Sequence, residues 1–211
     1  MQHFDQQTIS GMERFYRANL IQSITGFKPA CLIGTISPER NPNLAIFSSI
    51  VHMGSNPALI GYINRPLTAA PHTLANIQVT QVYTINHIKA SFVAKAHQTS
   101  AKYEAHINEF EATGLTMQFM PEIIAPFVEE SNIQYALQLV EVVPIKHNDT
   151  FLVIGKITDI FLKDVLPEAD GFIDIDKAGS LACLGSDTYC NGNIIQRFQY
   201  AKPNLPVQPI L

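Results

Sequence analysis

From Lys28 onward the chain alternates short apolar runs with polar turns. The runs "ACLIGTIS", "NLAIFSSIVHM", "ALIGYIN", "TQVYTINHI", "IQYALQLVEVVPI" and "TFLVIGKITDIFL" are rich in β-branched and aromatic residues and are separated by Pro, Gly and Asn. That texture predicts six β-strands. The segment "SPERNPN" between the first two and "GSNP" between the next two are built from residues that tolerate tight backbone conformations, so the early strands pair antiparallel. Ahead of them, "SGMERFYRANLIQSI" predicts a helix over residues of about 10–25, with Ser10 as N-cap, Glu13 three residues later, and Phe15, Leu20 and Ile24 apolar at helical spacing. "PHTLANIQ" predicts a short helix, and "TSAKYEAHINEFEATG" another, with Ser100 as N-cap and Gly114 as its stop. Strands outnumber helices, and no crossover helices separate the early strands. The expected architecture is mainly β, a closed or nearly closed antiparallel β-barrel with helical excursions, rather than a doubly wound α/β sheet.

Composition narrows this picture. A chain of 211 residues without a Ser/Gly-rich or charge-rich linker fits one domain, 1–211, with the N-terminal helix at one end and a C-terminal tail of about 167–211 at the other. Hydrophobic residues make 46% of it and charged residues 15%, which excludes intrinsic disorder and leaves apolar surface for a second copy to cover, a homodimer. The net charge of −4 gives no electrostatic reason to expect a nucleic acid. The polar start "MQHFDQQTIS" lacks a signal-peptide core, and no run approaches the roughly 20 apolar residues that span a bilayer, so the expectation is a cytoplasmic protein without a membrane partner. Cys31, Cys183 and Cys190 are odd in number and lack a C-x-x-C pair, which argues against a disulfide framework or a zinc knuckle, and the scattered histidines give no metal-ligand spacing.

Two stretches carry candidate chemistry. In "NLAIFSSIV" strict alternation puts Leu44, Ile46, Ser48 and Ile50 on one face and Ala45, Phe47, Ser49 and Val51 on the other, so each face meets a serine. Those hydroxyls either bond to the backbone at a strand end or meet a flat ligand there. In "NRPLTAAPHTLANI", Arg65 directly follows a strand, and Pro71, His72 and Thr73 open a helix whose free N–H groups and dipole favour an anion. Arginine adds a charge-assisted fork, so the stretch reads either as a phosphate cradle or as a solvated arginine beside a threonine cap. It lacks the glycine signatures of triphosphate and dinucleotide sites. Tyr83, Asn86 and His87 alternate along one strand and read as core, His87 included. Glu109 and Glu111 flank Phe110 without sharing a helical face, which removes the usual reason to propose paired carboxylates.

The order of these pieces resembles the flavin reductase-like family, whose members fold as an FMN-binding split β-barrel. The matching segments are "LIGTISPERNPNLAIFSSI", "NPALIGYINRP", "HTLANI", "YTINHI", "HQTSAKYEAHINEFEATGLT", "LQLVEVVPI" and "FLVIGKITDIFL", with "T-x-x-N-I" at residues 73–77 and "E-F-x-x-x-G-L" at residues 109–115 as short signatures. The resemblance implies non-covalent FMN, with Ser48, Ser49 and Ile50 along the isoalloxazine and ribityl chain, and Arg65, His72 and Thr73 toward the phosphate. Asn76 would brace the helix that delivers them, and Lys102 would be a further contact. It implies hydride transfer from NAD(P)H, bound transiently over the flavin, and electrons passed to free flavin, oxygen or a partner protein such as a monooxygenase. The cofactor supplies the redox chemistry, so no side chain is assigned a catalytic role and none a metal. The alternatives are a flavoredoxin-like FMN electron carrier without efficient NAD(P)H turnover, or a non-catalytic flavin-binding domain. "LGSDTYC" resembles a tail segment that in some members approaches the flavin edge or the partner subunit; Asp187 and Tyr189 receive no role.

Overall fold

The computed structural model describes residues 1–210. Two N-terminal helices, α1 (Gln6–Gly11) and α2 (Arg14–Ile24), precede the strands β1 (Lys28–Pro29), β2 (Cys31–Ile36), β3 (Pro42–Phe47), β4 (Ile50–Ser55) and β5 (Ala58–Asn64). Then come α3 (Pro71–Thr80), β6 (Val82–His87), α4 (Val93–Gln98), α5 (Glu109–Thr113), β7 (Met117–Gln118) and β8 (Phe127–Val128). The chain continues with the long hairpin β9 (Ile133–Ile145) and β10 (Thr150–Leu162), and with β11 (Leu181–Leu184) and β12 (Thr188–Asn191).

Seven strands form one antiparallel sheet in the order β3-β2-β6-β9-β10-β5-β4. Its two edges, β3 and β4, are consecutive in the chain and are separated only by Ser48 and Ser49. Six interstrand spacings of an open sheet would span about 29 Å, whereas the three residue steps from Phe47 to Ile50 reach at most about 11 Å. The sheet therefore has to curl until its edges meet. Ile63 N–H donates to the Ser49 carbonyl at 3.2 Å, which extends the β4–β5 pairing to the residue before β4.

The single strand expected over "NLAIFSSIVHM" is thus two strands, and the alternation assigned to its serines ends at Phe47. The N-terminal helix also differs from expectation. Ser10 lies inside α1, and α2 is capped by Glu13 itself, whose carboxylate accepts from Phe15 N–H and Tyr16 N–H. A carboxylate at that position also complements the positive helix end, which a serine cannot do. Nor does Ser100 start a helix: it follows α4, and the N-cap of α5 is Asn108, with Gly114 closing that helix in the left-handed region as expected. Part of the C-terminal tail is sheet, since β11 pairs with both β1 and β12.

The buried side chains fall into two clusters on opposite faces of β2, which is buried along its whole length. One holds Cys31, Ile33, Tyr62, Tyr83, Ile85 and Leu137 with Leu74 and Ile77 of α3; the other holds Leu32, Leu44, Ile88, Phe92, Phe110 and Cys183. Burial on both faces explains why "CLIGTI" is continuously apolar rather than alternating. The second cluster draws α4, α5 and β11 against the outside of the barrel, beside the β3–β4 break. No helix among the described residues is long and apolar enough to cross a membrane.

Candidate functional site

At the β3–β4 break lies a cavity of about 720 Å³, within the size range of small-molecule sites. Its first end is polar. Arg65 leaves the end of β5, His72 and Thr73 occupy the first turn of α3, Asn43 comes from β3 and Glu109 from α5. Pro71 sits at the first position of α3, where its missing N–H costs nothing and its ring presets the helical turn. Among the described residues the Arg65 guanidinium has no carboxylate partner.

The scaffold behind this end is a buried hydrogen-bond set centred on Thr35. Its Oγ1 accepts from Asn43 Nδ2 at 3.2 Å and from Asn76 Nδ2 at 3.1 Å, and Asn43 Nδ2 also donates to Thr73 Oγ1 at 3.2 Å. Asn76 thereby ties α3 to β2. Glu109 is buried and accepts from Leu44 N–H through Oε2 at 3.0 Å. Burial raises its carboxyl above the ordinary range, while the Leu44 N–H and the nearby His72 oppose that shift.

The other end is walled by Ala30, Ala45, Phe47, Ser48, Ser49, Cys183 and Tyr189. Burial pushes the Cys183 thiol up, against the pull of nearby Lys28 and Ser48, and the thiol donates to the Gly185 carbonyl at 3.6 Å. Lys28 Nζ is engaged by the carbonyls of Gln22 at 3.2 Å and Gly185 at 3.0 Å. All three cysteines are free.

Of the residues singled out from sequence, Ser48, Ser49, Arg65, His72, Thr73 and Lys102 come together around this cavity. Ile50 does not line it; its side chain packs against the cluster containing Tyr62. Asn76 lies behind the wall, in the Thr35 set. Asn43 gives no signal in the sequence, while His97 in "KAHQTSAKY" leaves open whether it reaches the site and Tyr189 receives no role. Glu109 was set aside for lacking a same-face carboxylate, yet its solitary burial is what marks it. Among the described residues no group of three or more His, Cys, Asp or Glu side chains could hold a metal ion.

The histidine on β6 is half-buried at the end of its strand. His87 Nδ1 lies 2.9 Å from Ser180 Oγ, its ring meets Tyr135 edge-on at 6.2 Å, and burial lowers its pKa to about 4. The unfolded chain, with an ordinary histidine near 6.5, binds this proton more readily than the folded one. Stability is therefore fully present above about pH 6.5 and drains away as pH falls toward 4. Urea titrations at pH 7 and pH 5 are expected to differ by on the order of 1–2 kcal/mol from this group, and His87→Asn should flatten that part of the profile.

Comparison with known proteins adds four findings. Residues 27–175 match the model of the flavin reductase like domain. A crystal structure described as a flavin reductase with split barrel domain, from Shewanella frigidimarina NCIMB 400, shares 44% sequence identity, covers 95% of this chain and 100% of its own, and superposes with a TM-score of 0.92. At the level of fold alone, 2-nitrobenzoate 2-nitroreductase NbaA of Pseudomonas fluorescens is similar at 20% identity, 97% and 98% coverage and a TM-score of 0.81. Flavoredoxin of Desulfovibrio vulgaris (Miyazaki F) is similar at 23% identity, 84% and 91% coverage and a TM-score of 0.68.

Proposed function

The chain belongs to the flavin reductase-like family, and on that premise we propose that its cavity holds FMN non-covalently and that the protein is an NAD(P)H-dependent oxidoreductase. The observation that carries this reading is the convergence of Arg65, His72, Thr73, Ser48 and Ser49 on a single cavity. The donor set suits a phosphate ester on a polar chain attached to a flat ring. A guanidinium without a carboxylate partner among the described residues and the first turn of α3 meet the anion. The serines at the break meet polar edges, with Phe47 and Ala45 as apolar walls.

When bound, FMN supplies hydride acceptance from a nicotinamide and onward transfer of electrons. The side chains bind, orient and shield. Arg65 and His72 neutralise phosphate charge, and Thr73 is fixed by Asn43 so that its hydroxyl faces one direction. The Thr35 set holds α3 at a constant distance from β3. Lys102 is exposed on the loop between α4 and α5 and adds positive charge at the rim.

Exposed apolar side chains, among them Phe15, Ile24, Phe27, Val51 and Ile195, support a homodimer that covers part of this surface. A monomer in light scattering at micromolar concentration contradicts that. The test of function is the absorbance of the purified protein before and after anaerobic NADH or NADPH. Flavin bands that bleach rapidly and saturably are expected. Slow, non-saturating bleaching assigns the protein to electron carrying in the manner of a flavoredoxin, and failure to take up FMN removes the cofactor reading altogether.

A further inference from the structure

Asn64 is the last residue of β5, paired with Phe151 of β10, and it is fully buried. Strand alternation sends Ile63 and Arg65 toward the cavity, which both line, and Tyr62 and Asn64 the other way, where Tyr62 joins the core. An asparagine in such a place is costly. Its Oδ1 is buried without a hydrogen-bond partner among the described residues, a penalty that an apolar side chain does not carry.

The nitrogen of the same amide is fully used. Asn64 Nδ2 donates to the Arg65 carbonyl at 2.7 Å and to the Ala70 carbonyl at 3.4 Å. Both neighbours are acceptors, so the amide cannot be turned over: that would set its oxygen against two carbonyls and free its N–H groups. The amide therefore spans the connection from β5 to α3 at its two ends. Between them, Ala69 N–H and Ala70 N–H both donate to the Pro66 carbonyl, which makes residues 65–70 a tight loop. Four residues of that loop, Arg65, Thr68, Ala69 and Ala70, line the cavity. Ala70 is also the residue that precedes α3, and it has no side chain to cap it, so the first-turn N–H groups are left for another acceptor.

We propose that Asn64, from behind the cavity wall, is the positioning residue of the phosphate site: its amide locks Arg65 to the start of α3, so that guanidinium and helix N–H groups meet one phosphate together. The proposal rests on the FMN reading above. Without the amide, the loop keeps its turn on Pro66 but loses the tie between its ends, and FMN binding must supply the ordering that Asn64 now provides in advance. Selection of FMN over riboflavin then depends on a side chain that does not line the cavity.

The test uses the full chain as wild type, Asn64→Ala, Arg65→Ala and the double variant, each titrated with FMN and with riboflavin by fluorescence quenching, with denaturant titrations to read the fold. Asn64→Ala should weaken FMN about 5- to 20-fold and riboflavin by less than about 2-fold. In the Arg65→Ala background the same change should cost FMN about 2-fold or less, because the group it places is gone. A residue that merely supports the fold would weaken both ligands alike and act independently of Arg65. Equal losses for FMN and riboflavin, FMN affinity unchanged in Asn64→Ala, or losses that multiply in the double variant each overturn the proposal and leave FMN binding standing. Wild type that takes up no FMN overturns the cofactor reading and this proposal with it. If Asn64→Ala does not fold, Asn64→Leu, which keeps the volume without the donors, gives the same comparison, and failure of both to fold makes Asn64 a folding determinant and overturns the proposal as well.

Discussion

Replacing Arg65 by alanine is expected to weaken FMN binding by roughly 1.5–3 kcal/mol, the range for a hydrogen bond to a charged group, or about 10- to 150-fold in dissociation constant. Riboflavin, which lacks the phosphate, should bind the variant almost as it binds the wild type. The size of the expected loss follows from the company Arg65 keeps. It has no protein carboxylate to neutralise among the described residues, so its charge is available to a ligand. The same cavity holds the buried Glu109, on which His72 acts, and a phosphate entering beside that carboxyl needs the positive charge of the lining to be there. Fluorescence-quenching titrations with both ligands provide the check. Equal losses for FMN and riboflavin would remove Arg65 from the phosphate role and point to a local structural effect.

Much of this end was legible in the sequence because its determinants are local. A proline at the first helical position, an arginine just past a strand and a histidine–threonine pair at the helix start are contiguous features, and α3 forms where that pattern places it. The strand texture was legible for the same reason, since β-branched runs between Pro, Gly and Asn report backbone preference residue by residue. The break at Ser48 and Ser49 was not. Nothing in "NLAIFSSIVHM" forbids a continuous strand; what forbids it is the sheet's closure, which brings β3 and β4 to opposite edges and is set by pairings as distant as β5 with β10. Glu109 and Asn43 escaped for a related reason. Their importance lies in contacts across 65 and 30 residues, with Leu44 N–H and with Thr73, which no short window contains. Tyr189 reaches His97 across 92 residues, and a pair that remote becomes visible only when β12 and α4 are packed together.

The second large effect concerns the scaffold. Gly34→Ala is expected to destabilise the fold by about 2–3 kcal/mol, in the upper part of the range for overpacking a well-filled core, and to cost FMN binding as a consequence. Gly34 is central in β2 and buried on both faces. A methyl group added there would run into the carbonyl oxygen of Pro126 and come within 2.7 Å of Thr84 Oγ1. Neither can step aside cheaply, because Thr84 Oγ1 donates to that same carbonyl, and Asn86 Nδ2, which also donates to Thr84 Oγ1, holds Leu32 as well. Relieving the clash requires moving β2 itself, and the next residue, Thr35, is the acceptor on which Asn43 and Asn76 converge. A displaced Thr35 loosens α3, and with it His72 and Thr73. Gly61→Ala is the control: its new methyl meets the ends of Met53 and Leu152 at 2.6 and 3.1 Å, which can rotate away, and Val51 Cγ1 at 3.3 Å, which has to give by only a few tenths of an ångström, with no backbone atom in its path. Denaturant titrations should therefore separate the two alanines clearly, with Gly61→Ala close to wild type. Gly34→Ala equal to Gly61→Ala in stability would mean that β2 yields more readily than its burial and hydrogen bonds imply, and that the Thr35 set is not the rigid support of the phosphate end.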